Sequence, residues 1–465
     1  MSTVDPPLDL TGVDPWPGAP LAELAEGAPD EERPPLLLAV AVAQAVAAAG
    51  GRAMVVGGVA RDEALRRLGA PRSLKDVDLE VYGLPVDRLR DLLAGFGEAD
   101  LVGTSFAVVK LADPWMPFRE AARRRDFTIN ALALDPLTGD LLDAWGGVDD
   151  LRTEVLRACD PGTFADDPLR VLRAAQFAGR FGFTVTPETA ALCRALDLRE
   201  LPTERVGEEW RKLLLRSPRP GVGLAALREL GVLARLHPEF EALAGTPQDP
   251  RHHPEGDVLA HTGLVLDAMA EEASGMPEEA RLVLLLAALC HDLGKPETTV
   301  VEGDRVRSPG HAEAGARAAA PFLLGLHVSM AVVHRVVPLV REHMHEGLGG
   351  PTSDAAVRRL AVRLDPATIA ELVALGRADR RGRGDSWTDP GFGRRLLAQA
   401  EGLTVATGRP APLVQGRDLL ALGLVPGPSL GETLRGLYAA QLDGAFRTTE
   451  EGVAFHRAGA RVAPD

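Results

Sequence analysis

Strand-forming pattern in this chain stops early, and that confinement limits the folds open to it. A short β-type run at residues 53–56 ends in Gly57-Gly58 and gives way to a helical stretch over 59–68. Residues 78–82 (Asp-Leu-Glu-Val-Tyr) read as a second strand, 86–96 as a helix and 106–111 as a third strand. From Asp167 onward the segments are long and helical, broken by a Pro- and His-rich connector over 237–254. With 465 residues the chain exceeds what one core encloses. The expected fold class is α+β, a small mixed α/β head followed by an all-helical neck and body.

Charge decides little. The net charge of −15 disfavours a polyanionic partner only if it is evenly spread, and it is not. Residues 1–33 carry eight acids and one base, an acidic, proline-rich stretch expected to stay disordered. No apolar run reaches 18 residues, and the longest, 36–49, is alanine-rich and reads as a packed helix. The N-terminus lacks the basic-then-apolar start of a secretory signal. Cys159, Cys193 and Cys290 are too scattered for a disulfide or metal pattern. A cytoplasmic protein without membrane partners is expected, and nothing in the sequence bears on its oligomeric state.

The first chemistry-bearing constellation is in the head. Asp76 and Asp78 stand at i and i+2, a spacing that on a strand turns both carboxylates to one side. Paired carboxylates suit Mg²⁺, a hard cation that shares oxygen ligands with substrate phosphates. Two such ions can activate an attacking hydroxyl and stabilise a leaving pyrophosphate. Gly57-Gly58 before a helix lets the backbone approach a triphosphate at the helix N-terminus, with Arg61 in the first turn. Each signal is common by itself.

Together they form a series: GGVARDEAL, KDVDLEVYG, RRDFTINALALDPLTGDLLDAWGGVDDLR, FADDPLRVLRAAQFAGRFGF and PTERVGEEWRKLL. This series, over residues 52–240, resembles the bacterial class of tRNA nucleotidyltransferases, the CCA-adding enzymes, and their relatives the bacterial poly(A) polymerases. The resemblance implies that Asp76 and Asp78 are the catalytic, metal-binding carboxylates. It also implies that Gly57, Gly58, Arg61, Arg124, Arg125, Asp126, Asn130 and Arg173 bind the nucleotide, and that 143–152 is a hinge. Asp167 and Arg170 are implied to read the base edge, where a carboxylate accepts from the exocyclic amine of cytosine or adenine and an Arg fork donates. Outside that context, Asp167 and Arg170 read as an i,i+3 helix ion pair.

Two departures stand out. Asp166 replaces the usual Glu before Asp167. In addition, only residues 111–123 separate the third strand from RRDFTINA, where CCA-completing members carry an extra strand and a long loop. Members without that loop resemble CC-adding enzymes, so the implied activity is addition of CMP from CTP, and of AMP from ATP if another segment replaces the loop. The implied partner is the 3′ end of tRNA and the implied cofactor Mg²⁺. A poly(A) polymerase of the same family is the alternative.

The second constellation is His261, His291-Asp292 and Asp379, in GDVLAHT, ALCHDLGK and RADRRGR. Imidazoles and carboxylates suit a divalent metal whose identity the residue types leave open. These positions resemble the metal ligands of an HD-superfamily phosphohydrolase, with His311 and His343 or His345 as further ligands. Lys295 reads as a solvated helix end. Such a domain implies hydrolysis of a phosphomonoester or 2′,3′-cyclic phosphate at RNA ends; a phosphohydrolase with a degenerate head is a further alternative. The expected domains are a tail (1–33), a head (34–150), a neck (151–245), an HD domain (255–385) and a helical C-terminal region (386–465).

Overall fold

The computed structural model describes residues 8–70, 74, 76–96, 108–110, 115–348, 353–384 and 391–459. They form two compact units, Met1–Leu201 with Glu229–Gly231, and Pro202–Arg228 with Val232–Asp465. The division thus falls within the expected neck, ahead of the 237–254 connector.

The N-terminal unit is organised by a six-stranded sheet. Its strands are β1 (Pro15–Trp16), β2 (Arg52–Val56), β3 (Asp78–Tyr82), β4 (Val108–Lys110), β5 (Ala133–Leu134) and β6 (Leu141–Leu142), in the order β1-β6-β5-β2-β3-β4. Of the strand expected at 106–111, Phe106, Ala107 and Leu111 lie outside the described residues. β2 and β3 are the buried centre and run antiparallel, with Val56 opposite Asp78. That register brings the end of β2, and hence the Gly57 turn, beside the start of β3. Gly57 has φ 71°, a conformation only glycine adopts without strain, and it launches the helix Gly58–Arg67. The two-residue strands β5 and β6 are too short to show a period of two and carry no local strand signal.

Residues 8–33 are not a disordered tail. β1 pairs with β6, Leu21 N–H donates to the Pro136 carbonyl, and Leu8, Val13, Leu21 and Ala25 are buried. Leu8 and Val13 join the core that holds Met54, Val56, Tyr82 and Phe118. Acidic composition suggested disorder, but a few apolar residues at the right spacing bury enough surface to order the segment. The expected hinge region contains the helix Gly147–Arg152, and the Asp143 carboxylate accepts from the N–H groups of Trp145, Gly146, Gly147 and Val148.

The expected all-helical neck contains the short parallel strands Val155–Leu156 and Thr184–Val185, and among the described residues the C-terminal unit is helical with one departure. A hairpin of Val300–Glu302 and Arg305–Arg307 lies between the helices Glu278–Cys290 and His311–Gly325. The helix Glu278–Cys290 is buried continuously from Leu282 to Cys290, as suits a central helix packed on all sides. Around it stand Val258–Glu272, capped by the Asp257 carboxylate, and Ile369–Arg381, opened by a Thr368–Glu371 capping box. Gly294, just past His291-Asp292, lies so close to the His311 carbonyl and the Gly315 N–H that a Cβ there would clash. The first turns of the helix His311–Gly325 can therefore press against the His-Asp segment.

Candidate functional site

Asp76 and Asp78 do not share a strand. β3 begins at Asp78, and Asp76 precedes it with φ 60°, in the left-handed region. Asp is among the few non-glycine residues that tolerate this conformation. Val77 between them is buried, whereas Asp76 is exposed and Asp78 half-buried. The two residues thus flank a buried core anchor, one exposed and one half-buried, and the shared strand on which the spacing argument relied is not present. A Cβ placed on Gly57 would lie 3.7 Å from Asp78 Oδ2, so the glycine turn and helix N-terminus meet this carboxylate directly.

Behind them runs a buried polar network. Arg61 donates to Asp62 Oδ1 at 2.9 Å and to Asn130 Oδ1 at 2.7 Å, and its guanidinium lies 4.8 Å from the Phe181 ring centre. Asn130 donates to Asp126 Oδ1 at 2.9 Å, and Arg173 donates to Asp126 Oδ2 at 2.6 Å. Burial opposes ionisation of Asp126, but Arg173, Asn130 and the Phe127 N–H outweigh it and hold the carboxyl below its ordinary range. The glycine-led helix, the RRDFTINA segment and the helix Arg170–Phe181 are thereby locked into one frame. Arg125 is anchored separately, by Glu80 of β3 at 2.8 Å, and Arg124 is exposed.

The Asp167–Arg170 ion pair is not what forms. Arg170 donates instead to the Thr163 and Arg124 carbonyls, both at 2.6 Å, and so fixes the main chain that carries Arg124. Asp167 Oδ1 accepts from Leu169 N–H. Replacing Arg173 by Ala leaves Asp126 buried without its cation and should destabilise the N-terminal unit by roughly 2–4 kcal/mol at neutral pH. Because the folded-state pKa of Asp126 is lowered, its stabilisation is present above 3.8 and lost as pH falls through the depressed value. Urea unfolding of this unit should therefore show the variant and wild type converging in acid.

In the C-terminal unit four imidazoles converge on Asp292. The helix Glu278–Cys290 ends where His291 begins, which lets adjacent His291 and Asp292 face one space. Each ring is held through Nδ1: His291 to the Ala288 carbonyl, His311 to Ser308, His343 to Val340, and His261 to the Glu255 carboxylate. All four Nε2 atoms then point inward. His291 and His261 lie 3.1 and 3.9 Å from Asp292 Oδ2, and His311 and His343 lie 3.5 and 3.9 Å from Oδ1. Asp379 Oδ1 lies 3.0 Å from His261 Nε2. His343, rather than His345, is the histidine brought to the site.

This donor set fits divalent cations. His291 Nε2 and Asp292 Oδ2 are buried without a well-directed hydrogen bond, and two ligand groups, His261–His291–Asp292 and Asp292–His311–His343, share one carboxylate. Nδ1-anchored rings are the usual outer support of a metal-binding imidazole. Burial and the neighbouring His291 push His343 down to about 3, so it is neutral, and its Nε2 lies 3.2 Å from His311 Nε2. Burial opposes charging His261, yet Asp379 and Glu255 lift it to about 9; an ion at Nε2 would take the place of that proton.

Several participants escaped the sequence. His253 sits in what read as a connector and Glu255 at the expected start of the HD domain; Glu255 Oε1 is 2.7 Å from His261 Nδ1 and 2.9 Å from His253 Nδ1. Lys295 is not a solvated helix end: its ammonium is 2.7 Å from both Asp292 Oδ2 and Gln248 Oε1. Arg383 pairs with Asp379 at 2.7 Å. With Gln248, His253 and Arg307 they line a cavity of about 230 Å³. A His-Pro-Glu string one turn before a His-containing helix was the only available signal.

Comparison with known proteins agrees with this layout. The Poly A polymerase head domain family matches residues 104–157, the probable RNA and SrmB-binding site of polymerase A 182–243, and the HD domain 258–381. The Multifunctional CCA protein of Xanthomonas campestris pv. campestris (strain B100) is 37% identical over 335 residues, 70% of this chain and 77% of the relative. That of Halorhodospira halophila is 37% identical over 339 residues, 70% of this chain and 76% of its own. In fold the chain is similar to the Bacillus stearothermophilus CCA-adding enzyme in complex with CTP, with TM-score 0.61, 22% identity and coverage of 92% and 98%. It is also similar to the Thermotoga maritima CCA-adding enzyme complexed with tRNA, with TM-score 0.54, 17% identity and coverage of 96% and 100%. A nucleotidyltransferase-type head, an RNA-binding neck and an HD domain, in that order and with these relatives, leave one conclusion: the chain belongs to the bacterial tRNA nucleotidyltransferase and poly(A) polymerase family, alongside the multifunctional CCA proteins.

Proposed function

We propose that this protein adds CMP to the 3′ end of tRNA without a nucleic-acid template, and stops after two cytidines. The observation that carries the transferase reading is the buried frame Arg61–Asn130–Asp126–Arg173 behind the Gly57–Asp78 contact. A degenerate head would have no reason to keep Arg61, Asn130 and Asp126 buried and mutually satisfied, with the half-buried Arg173 paired to Asp126, around a site it no longer used. Asp76 and Asp78 would hold Mg²⁺, which when bound supplies the positive charge that phosphoryl transfer needs. Gly57 and Gly58 admit the triphosphate to the helix N-terminus, and Arg124 and Arg125 contribute cationic forks. Asp167 would present an acceptor to the base edge, and Arg170 would offer it only the donors that the Thr163 and Arg124 carbonyls leave unused.

The CC-adding assignment rests on the short 111–123 segment. Residues 111–114 lie outside those described, and 118–123 of the remainder are the helix Phe118–Arg123. The test offers labelled ATP to tRNA already ending in CC. No AMP incorporation is expected, whereas stoichiometric addition of one A would assign full CCA synthesis and indiscriminate A tails would assign a poly(A) polymerase.

For the HD domain we propose hydrolysis of a phosphomonoester or 2′,3′-cyclic phosphate at an RNA end. Lys295 and Arg383 beside the imidazole cluster support this reading, because they give an anionic phosphate two cations in a small cavity. His261, His291, Asp292 and Asp379 would hold one ion and Asp292, His311 and His343 a second; such ions lower the pKa of bound water. Clearing a blocking phosphate would expose the hydroxyl that the head extends.

A further inference from the structure

The N-terminal segment contains one acid that does not behave like its neighbours. Of the seven acidic residues described in 8–33, Asp9, Asp14, Glu23, Glu26, Asp30 and Glu31 are exposed and Glu32 is buried, at 6%. Glu32 is at the N-cap position of the helix Arg33–Ala48, but its side chain does not cap that helix. It reaches instead to Leu74, whose N–H donates to Glu32 Oε2 at 3.0 Å across 42 residues of sequence. Leu74 is buried, Val77 is buried, and between these anchors Asp76 takes its left-handed backbone, φ 60°.

We propose that Glu32 is a positioning residue for the transferase, holding the turn that presents Asp76. The inference rests on the reading of Asp76 as a metal-binding carboxylate. Asp tolerates a left-handed conformation, but a single fixed backbone there depends on how the chain on either side is held. The chain on the C-terminal side of Asp76 is fixed by Val77 and the β2–β3 ladder. On the N-terminal side the fixing comes from Leu74 burial and from the charge-assisted bond to Glu32, stronger than a neutral one. Glu32 is in turn tied to the head rather than to a loose tail. Arg67 donates to the Trp16 and Gly139 carbonyls, both at 2.7 Å, and Phe118 N–H donates to the Asp9 carbonyl. Gly139 packs so tightly on Gly18 and Ala19 that a Cβ there would clash. Residues 8–33 thus form a strap around the sheet, and its last residue but one reaches the catalytic turn.

The test compares full-length wild type, Glu32→Ala, Glu32→Gln and Asp76→Ala in CMP transfer to tRNA, titrating Mg²⁺ at saturating CTP and following thermal unfolding in parallel. Glu32→Ala should lower kcat about ten- to a hundredfold, the scale on which a displaced catalytic group acts. It should also raise the Mg²⁺ concentration needed for half-maximal rate, while the KM for CTP stays within about twofold. Glu32→Gln keeps an oxygen for the Leu74 N–H and should restore most of the rate. A wild-type kcat and Mg²⁺ midpoint in Glu32→Ala would overturn the proposal, as would a rate loss that only tracks the loss of folded protein. An active Asp76→Ala would remove the site reading itself; an inactive Asp76→Ala beside an unimpaired Glu32→Ala would remove the brace alone.

Discussion

Asp78→Ala should abolish CMP transfer while leaving the protein folded and the hydrolysis proposed for the HD domain intact. The residue is half-buried at the head of β3, faces the Gly57 turn, and contributes nothing to the apolar core on the other side of the strand. On the proposed reading, removing it deletes a carboxylate that would hold Mg²⁺, the ion that would stabilise the charge developing in the transition state. A single lost electrostatic partner of that kind costs roughly 10²–10³ in rate, and a metal ligand more. Asp78→Asn, which keeps the shape and removes the charge, should be equally inactive. Both variants should bind tRNA normally, because phosphate contacts that position RNA come from cations elsewhere. Incorporation of labelled CMP, measured with tRNA binding on the same preparations, checks this; retained transfer would place the catalytic carboxylates elsewhere.

The second large effect is expected in the other unit. Asp292 offers one oxygen to His261 and His291 and the other to His311 and His343. Asp292→Asn should therefore lower occupancy of both ion positions, whereas His343→Ala should affect one. Loss of a direct ligand exceeds the ten- to hundredfold cost known for outer-sphere partners, so hydrolysis of a terminal phosphate should fall by more than about 100-fold. Metal content by elemental analysis, before and after chelation, separates the variants: up to two ions per chain in wild type, about one in His343→Ala and fewer in Asp292→Asn. CMP transfer to an unblocked tRNA end should be unchanged in both. Equal metal content in all three proteins would contradict the shared-carboxylate reading.

The sequence made some of this legible for identifiable reasons. Gly57-Gly58, Asp76, Asp78 and the RRDFTINA string are short-range signals whose chemistry shows in their spacing. The same holds for His291-Asp292. Other features depend on contacts far apart in the chain. The Arg173–Asp126 pair spans 47 residues, Arg61–Asn130 69 and His261–Asp379 118, and no local pattern announces them. Arg170 looked like half of a helical ion pair because Asp167 is three residues away, yet two nearby carbonyls claim its donors. Residues 8–33 were misjudged on composition: most of their acids are indeed exposed, but the apolar residues between them join the core. Lys295 was misjudged on position, since a lysine after a helix end is usually solvated, and here Asp292 and Gln248 hold it.

The central claim is that the Gly57–Asp78 site transfers nucleotides to a tRNA end. The most direct measurement supplies labelled CTP and Mg²⁺ to a tRNA ending at its discriminator base and resolves the products at single-nucleotide length. Two added cytidines and no third are expected, with none in Asp78→Ala. No incorporation by the wild-type protein, or incorporation that survives Asp78→Ala, would contradict it.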